Sequence, residues 1–142
     1  MKKLIDIIVV PHACLKDIDV VRGSKGLIYI NSIGSEDIVS YKIMKENFGT
    51  NVLLCNFDDV SDERINGAIT KNIATAIATF AKTLISKGIK NIIVSCPAGL
   101  SRSAGVGAAL MTWLKIDDSK LYSTKMPNAL VKHMVLNELR TH

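Results

Sequence analysis

The chain has 142 residues, of which 48% are hydrophobic and 22% are charged. This length suits one domain with a single core, expected to span residues 1–142, and the composition excludes a disordered chain. The net charge of +5 favours anionic substrates, but the basic residues are scattered and aromatic residues are few, so nucleic acid is not an expected partner.

The cysteines and the first residues indicate where the protein acts. Three cysteines are an odd number, and a domain of this size needs no disulfide, so reduced thiols and a cytoplasmic location are expected. The start MKKLIDIIVVPHAC resembles a lipoprotein leader, but Asp6 interrupts its apolar run, and Pro11 and His12 occupy positions where cleavage requires small residues. We interpret it as a first strand. No apolar stretch is long enough to cross a bilayer, so a soluble protein without a membrane partner is expected.

Strand and helix patterns alternate along the chain. Runs of apolar residues, many of them β-branched, predict strands at 4–10, 26–32, 51–57 and 91–95. Between the second and third strands, Ser35, Glu36 and Asp37 predict a helix start and Gly49 predicts its end. A helix over about 103–114 is expected after the fourth strand. The alternation predicts an α/β fold with three layers, in which helices flank a mainly parallel central sheet.

Two further segments have the periodicity of amphipathic helices. Apolar residues at spacings of three and four predict a long helix over 65–86, with Ile65, Ile69, Ile73, Ile77, Phe80 and Leu84 on its buried face. The last predicted helix begins at Pro127, because proline is favoured in the first turn of a helix. Its apolar face comprises Leu130, Val131, Met134, Val135 and Leu139.

The segment NIIVSCPAGLSRSAG, residues 91–105, joins a predicted buried strand to a predicted helix. Open α/β sheets bind ligands beyond the carboxyl ends of their strands, and Cys96 lies at such an end. The next five residues are mostly small, so their backbone can curl with its N–H groups inward and bind an anion. Arg102 can hold two phosphate oxygens at once, and the positive field favours a Cys96 thiolate aimed at phosphorus. The predicted phosphate-binding residues are Pro97, Ala98, Gly99, Leu100, Ser101 and Arg102, and neither a metal nor another cofactor is expected.

The stretch CPAGLSRSAG resembles the signature of cysteine-dependent protein tyrosine phosphatases, in which Cys, five residues and Arg are followed by Ser or Thr. NVLLCNFDDV and PNALVKHMVLNEL, with the chain length and order of elements, are similar to small bacterial and viral members of the compact dual-specificity branch. Low-molecular-weight phosphatases and arsenate reductases place the loop near the N-terminus, and rhodanese-like sulfurtransferases use a loop one residue shorter. The resemblance therefore favours the dual-specificity branch and its phosphatase-like fold.

The resemblance also implies roles for residues of the loop. Cys96 would attack phosphorus to form a cysteinyl-phosphate, and Arg102 would bind the equatorial oxygens. Ser103 would stabilise the leaving thiolate, although it could also cap the following helix. The implied substrate is a phosphorylated protein or a small phosphomonoester. Phosphoinositide-preferring relatives tend to carry a lysine in the loop, which Leu100 and Ser101 do not supply, so phosphoproteins are favoured. The oligomeric state is left open.

The family uses an aspartate from another loop as the general acid. Three candidates follow the third predicted strand, and matching strand ends to the family favours Asp59 over Asp58. Asp62 is expected to begin the long helix. All three could instead be turn and capping residues, which are common at such positions.

Two residues depart from the family pattern. Ser95 stands where the family has a histidine that orders the loop, and Pro97 removes one N–H donor beside the nucleophile. Ser95 can still donate a hydrogen bond, so activity is expected to remain but to be reduced. These departures leave open a catalytically weak pseudophosphatase or a phosphate-recognition module.

The remaining cysteine and histidine residues allow weaker hypotheses. Cys55 could form a reversible disulfide with Cys96, as in some relatives, or could be a core residue. A cysteine hydrolase using Cys96 and His133 would not require Arg102. The three histidines, His12, His133 and His142, have no metal-ligand spacing with cysteines, and no metal is expected.

Overall fold

The computed structural model describes residues 4–18, 24–35 and 38–141. In chain order its elements are β1 (Asp6–Pro11), a 3₁₀ helix (His12–Asp17), β2 (Lys25–Asn31), α1 (Ile38–Phe48), β3 (Val52–Asn56), α2 (Lys71–Ser86), β4 (Asn91–Cys96), α3 (Arg102–Leu114), α4 (Ser119–Thr124) and α5 (Ala129–Thr141). The predicted strands and long helices are present, whereas the 3₁₀ helix and α4 were not predicted. Of the expected start of α1, Glu36 and Asp37 lie outside the described residues.

The four strands form one parallel sheet in the order β1-β4-β2-β3. β4 pairs with β1 from Asn91 opposite Asp6 to Cys96 opposite Pro11. On its other side β4 pairs with β2, where Tyr29 lies opposite Ser95. Because all pairs are parallel, the carboxyl ends of the strands meet at one edge of the sheet, which places Cys96 at the centre of that edge.

Helices cover both faces of the sheet. Ile28 and Ile30 of β2 pack on one side in a core formed with α2, α3 and α5. Leu27 and Tyr29 of the same strand face the other side, where they pack with Phe48 of α1. Successive side chains of a strand point to opposite faces, so a continuous apolar strand serves both cores. The predicted three-layer α/β fold with a parallel central sheet is confirmed.

The start of α2 differs from the prediction. Thr70 is its N-cap, and its hydroxyl accepts a hydrogen bond from the backbone N–H of Ile73 at 3.2 Å. Ile65 precedes the helix in a loop and is 51% exposed. The prediction of a helix from residue 65 is therefore wrong. The apolar spacing extends into the loop before α2, whereas the helix itself begins only after its N-cap, Thr70.

The start of α5 also differs. Asn128 caps this helix, since its Oδ1 accepts a hydrogen bond from the backbone N–H of Val131 at 3.1 Å. Pro127 lies one residue before the cap and not in the first turn, so that prediction is wrong. Asparagine is among the best N-cap residues, which explains the shift. The buried residues of the predicted apolar face are Val131, Val135 and Leu139. No helix within the described ranges is both long and apolar enough to span a membrane.

Candidate active site

The segment from Cys96 to Arg102 connects β4 directly to α3 at the carboxyl edge of the sheet. Cys96 is the last residue of β4 and Arg102 is the first residue of α3. Their exposed fractions are 2% and 8%, respectively. The strand, loop and helix expected from the sequence are all present, and they hold both side chains next to the N-terminus of α3.

The peptide orientations within this loop suit anion binding. The carbonyl of Leu100 accepts a hydrogen bond from the N–H of Met126 at 2.9 Å, and the carbonyl of Ser101 accepts one from Asn128 at 3.0 Å. In a trans peptide the following N–H points the opposite way, so the N–H groups of Ser101 and Arg102 face away from these partners. Together with the first turn of α3 they offer donors to an anion.

Gly99 is required by the shape of the loop. Its φ is +66°, and a Cβ at this position would overlap the Pro11 nitrogen and lie 2.6 Å from the carbonyl carbon of Val10. The loop therefore rests directly on the backbone at the end of β1. Only glycine permits both the left-handed conformation and this close approach.

We predict that Gly99→Ala lowers both stability and phosphate binding. The matched control is Gly88→Ala, because Gly88 also has a positive φ, +85°, but no atom lies within 4 Å of the place that a Cβ would occupy there. Each variant carries left-handed strain of about 1–2 kcal/mol. Only Gly99→Ala should lose more than this in chemical denaturation and weaken phosphate binding in titration calorimetry. Equal effects of the two variants would contradict a packing role for Gly99.

Ser103 lies beside the cysteine. Its Oγ is 3.1 Å from the Sγ of Cys96, and the side chain is fully buried. The N-cap of α3 is Ser101, so Ser103 is in the first turn and the suggested capping role is wrong. A hydroxyl at this position can donate a hydrogen bond to a thiolate.

Arg102 is held by two acceptors from other parts of the chain. Its Nη1 donates hydrogen bonds of 2.9 Å to the hydroxyl of Ser32 and to the backbone carbonyl of Phe57. Ser32 follows β2 and Phe57 follows β3, so the ends of both strands fix the guanidinium plane. The remaining nitrogens can then face a ligand. Ser32 was not predicted, although polar residues at the carboxyl ends of parallel strands are a general indication of a site.

The structure separates the three candidate aspartates. Asp59 lines the same cleft as Cys96 and Arg102. Its Oδ1 accepts hydrogen bonds from the hydroxyl of Ser101 at 2.8 Å and from the side-chain amide of Asn128 at 2.9 Å. The carboxylate is thus attached to the loop and to the cap of α5, close to the proposed nucleophile.

Asp58 and Asp62 are engaged elsewhere. The Oδ1 of Asp58 accepts a hydrogen bond from the N–H of Ile33 at 3.0 Å, and its carboxyl group packs on Gly67, so it stabilises the turn. Asp62 forms an exposed ion pair with Arg64 at 2.8 Å, and this hydrogen-bonding partner holds the pKa of Asp62 below its usual value. Asp62 does not begin α2, so that expectation is wrong.

Asn128 has three roles that were not predicted. It caps α5, bonds to Asp59, and donates a second hydrogen bond of 3.1 Å from Nδ2 to the carbonyl of Val60. An asparagine directly before an apolar helix pattern is the sequence signal that could have indicated the cap. Its contact with the acidic loop depends on residues 68 and 69 positions away, which no local pattern reports.

The cleft above Cys96 has a volume of about 750 Å³. Its rim carries three large exposed side chains, Leu100, Tyr122 and Met126, which are 48%, 46% and 79% exposed. Lys125 also lines it. The floor of the cleft, which includes Cys96 and Arg102, suits an anion, and the rim suits an apolar or aromatic group attached to that anion.

The two described histidines, His12 and His133, lie in different parts of the fold. His133 is exposed on α5 and does not line the cleft, so the pair needed by a cysteine hydrolase is not assembled. His12 lies directly after β1, and its Nδ1 forms a hydrogen bond with the Oγ of Ser95, the residue before Cys96. His142 lies outside the described residues.

Cys55 is a core residue and not a disulfide partner of Cys96. It lies on β3, and β2 separates it from β4. Two strand spacings amount to about 10 Å, whereas a disulfide requires Cα atoms within about 7 Å. Burial raises the pKa of the Cys55 thiol to about 12. The protective disulfide considered from the sequence does not fit this arrangement.

The raised pKa of Cys55 predicts that it resists alkylation. Below about pH 9 its thiol stays protonated in the folded protein, so iodoacetamide should modify the exposed Cys14 and leave Cys55 intact. Peptide mass spectrometry after alkylation measures this directly, with guanidinium-unfolded protein as the control in which Cys55 reacts. Rapid modification of Cys55 in the folded protein would contradict its burial.

No protein-family model matches the sequence, and no curated protein matches it significantly. Two solved structures are similar in fold. The crystal structure of Tk-PTP in the active form has a TM-score of 0.56 and 16% identity, covering 97% of this chain and 92% of that one. The crystal structure of PTPMT1 in complex with PI(5)P has a TM-score of 0.53 and 16% identity, covering 91% of this chain and 81% of that one. The expected phosphatase-like fold is confirmed.

Proposed function

We propose that this chain, which has the fold of the cysteine-dependent protein tyrosine phosphatases, is a phosphatase that hydrolyses phosphate monoesters through a cysteinyl-phosphate. The observation that carries the proposal is the convergence of Cys96, Arg102 and Asp59 on one cleft at the N-terminus of α3. These groups are a nucleophile, a phosphate ligand and a proton donor, which together are what phosphoryl transfer to a thiolate requires.

In the first step the phosphate lies in the loop formed by Pro97, Ala98, Gly99, Leu100 and Ser101. Arg102 binds two of its oxygens, because the planar guanidinium matches two acceptors. The Cys96 thiolate forms a bond to phosphorus while the bond from phosphorus to the ester oxygen breaks. Asp59, in its protonated form, transfers its proton to that leaving oxygen, which would otherwise depart as an alkoxide or phenolate.

In the second step water hydrolyses the intermediate. The Asp59 carboxylate accepts a proton from water as the water oxygen attacks phosphorus. The bond between sulfur and phosphorus breaks, and inorganic phosphate and the Cys96 thiolate are released. Ser103 donates a hydrogen bond to that thiolate, a role supported by the 3.1 Å separation of the two side chains.

For substrate class we propose a phosphoprotein carrying phosphotyrosine, with dual specificity as the wider possibility. The apolar rim of Leu100, Tyr122 and Met126 supports an aromatic group next to the phosphate. The alternative is a phosphoinositide, since PTPMT1 was crystallised with PI(5)P and Lys125 lines the cleft of this chain. A cytoplasmic location is part of the proposal, because reducing conditions keep a thiolate nucleophile active.

The proposed function is tested by the release of inorganic phosphate from an aryl phosphate, a phosphotyrosine peptide and PI(5)P, each in the presence of a metal chelator. We expect hydrolysis of the first two substrates and a lower kcat/KM for the lipid. Preference for PI(5)P would overturn the phosphoprotein assignment. Binding of phosphotyrosine peptide without hydrolysis of any substrate would identify a phosphate-recognition module instead.

We predict that Asp59→Asn lowers kcat/KM, which reports formation of the cysteinyl-phosphate and not its hydrolysis, by about 10²–10⁴-fold for a phenyl phosphate. The loss should be much smaller for a nitrophenyl phosphate, whose leaving group needs little protonation. Asp62→Asn is the matched control, because Asp62 belongs to the same loop but pairs only with exposed Arg64 among the contacts described. Steady-state kinetics with both esters measures the difference. Equal losses for the two esters, or loss in Asp62→Asn, would contradict Asp59 as the general acid.

A further inference from the structure

Ser95 is fully buried at the end of β4, immediately before Cys96. Its hydroxyl forms a short hydrogen bond of 2.5 Å with Nδ1 of His12, a residue 83 positions away in the chain. The bond joins β4 to the 3₁₀ helix that follows β1, and β1 is the strand next to β4 in the sheet. The residue that precedes the proposed nucleophile is therefore held by an imidazole from another element.

The second nitrogen of His12 fixes the tautomer of the ring. Nε2 lies 3.0 Å from the backbone carbonyl of Ile30 and 2.9 Å from Oδ1 of Asn31. A backbone carbonyl can only accept, so Nε2 carries the hydrogen that it donates. In the neutral ring Nδ1 then accepts the hydroxyl hydrogen of Ser95. The ring also stacks on Tyr29, with centroids 3.9 Å apart and an angle of 13° between the planes.

These contacts connect His12 to both sides of the phosphate loop. Asn31 precedes Ser32, and the hydroxyl of Ser32 accepts a hydrogen bond from Arg102. On the other side, Gly99 packs on the backbone of Pro11, the residue before His12. The imidazole thus lies below the loop, among the ends of β1, β4 and β2. It does not line the cleft, so its effect on a bound phosphate must pass through other residues.

We infer that His12 is a positioning residue for the proposed phosphatase site, acting on Cys96 through Ser95 and on Arg102 through the end of β2. The inference rests on the proposed function of those two residues. His12 reaches the site from the end of β1, and the Ser95 hydroxyl donates its hydrogen to Nδ1 of the ring. Removing either group leaves a buried hydrogen-bonding partner unsatisfied and allows the Cys96 end of β4 to shift.

The test compares His12→Ala, Ser95→Ala and the double variant with wild type. The first measurement is the alkylation by iodoacetamide of Cys96, which lines the open cleft, with the rate followed on the Cys96 peptide by mass spectrometry. We expect each single variant to react about tenfold more slowly, a loss typical of displaced active-site groups, and the double variant to react no more slowly than His12→Ala. His133→Ala, which changes an exposed histidine on α5, should react at the wild-type rate.

A second measurement separates positioning from general structural support. His12→Asn keeps a hydrogen-bonding group near Nδ1 and should recover most of the alkylation rate. With an aryl phosphate, Ser95→Ala, which breaks only the connection to Cys96, should lower kcat and leave KM nearly unchanged. Ser95→Ala removes only one hydroxyl, so it provides the test even if His12→Ala does not fold.

Two results would overturn the inference. One is an unchanged alkylation rate in Ser95→Ala, and the other is independent, multiplicative losses from the two single variants, which would show that the groups do not act through each other. Alkylation of Cys96 requires no turnover. A wild-type protein that does not hydrolyse phosphate esters would therefore overturn the proposed function while the alkylation series still decides the role of His12.

Discussion

Cys96→Ser is expected to lower the rate of phosphate release by at least about 10⁴-fold, as the loss of a catalytic nucleophile does in other enzymes. Serine nearly preserves the shape of the side chain but is not ionised near neutral pH. The neighbouring group is the hydroxyl of Ser103, 3.1 Å from Sγ, which cannot act as a base to activate a serine. The N-terminus of α3 and Arg102 are untouched, so phosphate or vanadate should still bind.

Turnover of an aryl phosphate and anion binding by titration calorimetry measure the two halves of this prediction. Cys14→Ser is the matched control, because Cys14 is an exposed cysteine in the 3₁₀ helix and does not line the cleft. It should keep wild-type activity. Substantial phosphate release by Cys96→Ser would place the nucleophile elsewhere, and loss of anion binding in that variant would indicate a collapsed loop.

Arg102→Lys is expected to lower kcat by about 10³-fold or more, comparable with the loss of a transition-state arginine in other phosphoryl transfer enzymes. The Nη1 of Arg102 is already engaged by Ser32 and the carbonyl of Phe57, each at 2.9 Å. The other guanidinium nitrogens can bind phosphate at the same time. A lysine ammonium is a single point charge. It cannot donate hydrogen bonds to Ser32 and the carbonyl of Phe57 and also bind two phosphate oxygens.

Steady-state kinetics and phosphate binding test this prediction, with Arg64→Lys as the control. Arg64 follows β3 but has a side chain that is 86% exposed and paired with Asp62 outside the cleft. Its replacement should leave both quantities unchanged. Thermal unfolding must accompany the kinetics, because loss of the contact with Phe57 also leaves a buried carbonyl without this donor. A folded Arg102→Lys protein with wild-type kcat would refute the assigned role.

The loop from Cys96 to Arg102, where we propose that phosphate binds, could be found from the sequence because its parts are adjacent. An apolar strand, small residues, Arg102 and a helix follow one another within residues 91–114, and covalent connection forces them to meet at one end of the sheet. Gly99 was recognisable as a loop residue for the same local reason. Its contact with the backbone of Pro11 was not, since that contact depends on the pairing of β1 with β4.

Local patterns were less informative about the residues at which α2 and α5 begin. The apolar spacing from Ile65 onward predicted a helix six residues too early, because periodicity does not register that Thr70 can cap the helix with its hydroxyl. Pro127 was likewise placed inside the last helix, although Asn128 is the stronger N-cap. Hydrogen bonds of caps involve single atoms, and hydrophobic periodicity averages over many residues.

The three-layer α/β fold with its parallel sheet and the loop from Cys96 to Arg102 could be predicted from the amino-acid sequence, because alternating apolar patterns and chain connectivity are local properties. The resemblance already favoured Asp59 over Asp58, and the tertiary structure adds that Asp59 lines the cleft whereas Asp58 accepts a hydrogen bond from Ile33 in another loop. Only the tertiary structure joined His12 to Ser95 across 83 residues. These contacts are hydrogen bonds between loops, helix ends and strand ends that lie far apart in the chain. Folding brings those residues together, and no periodicity along the chain encodes the contacts.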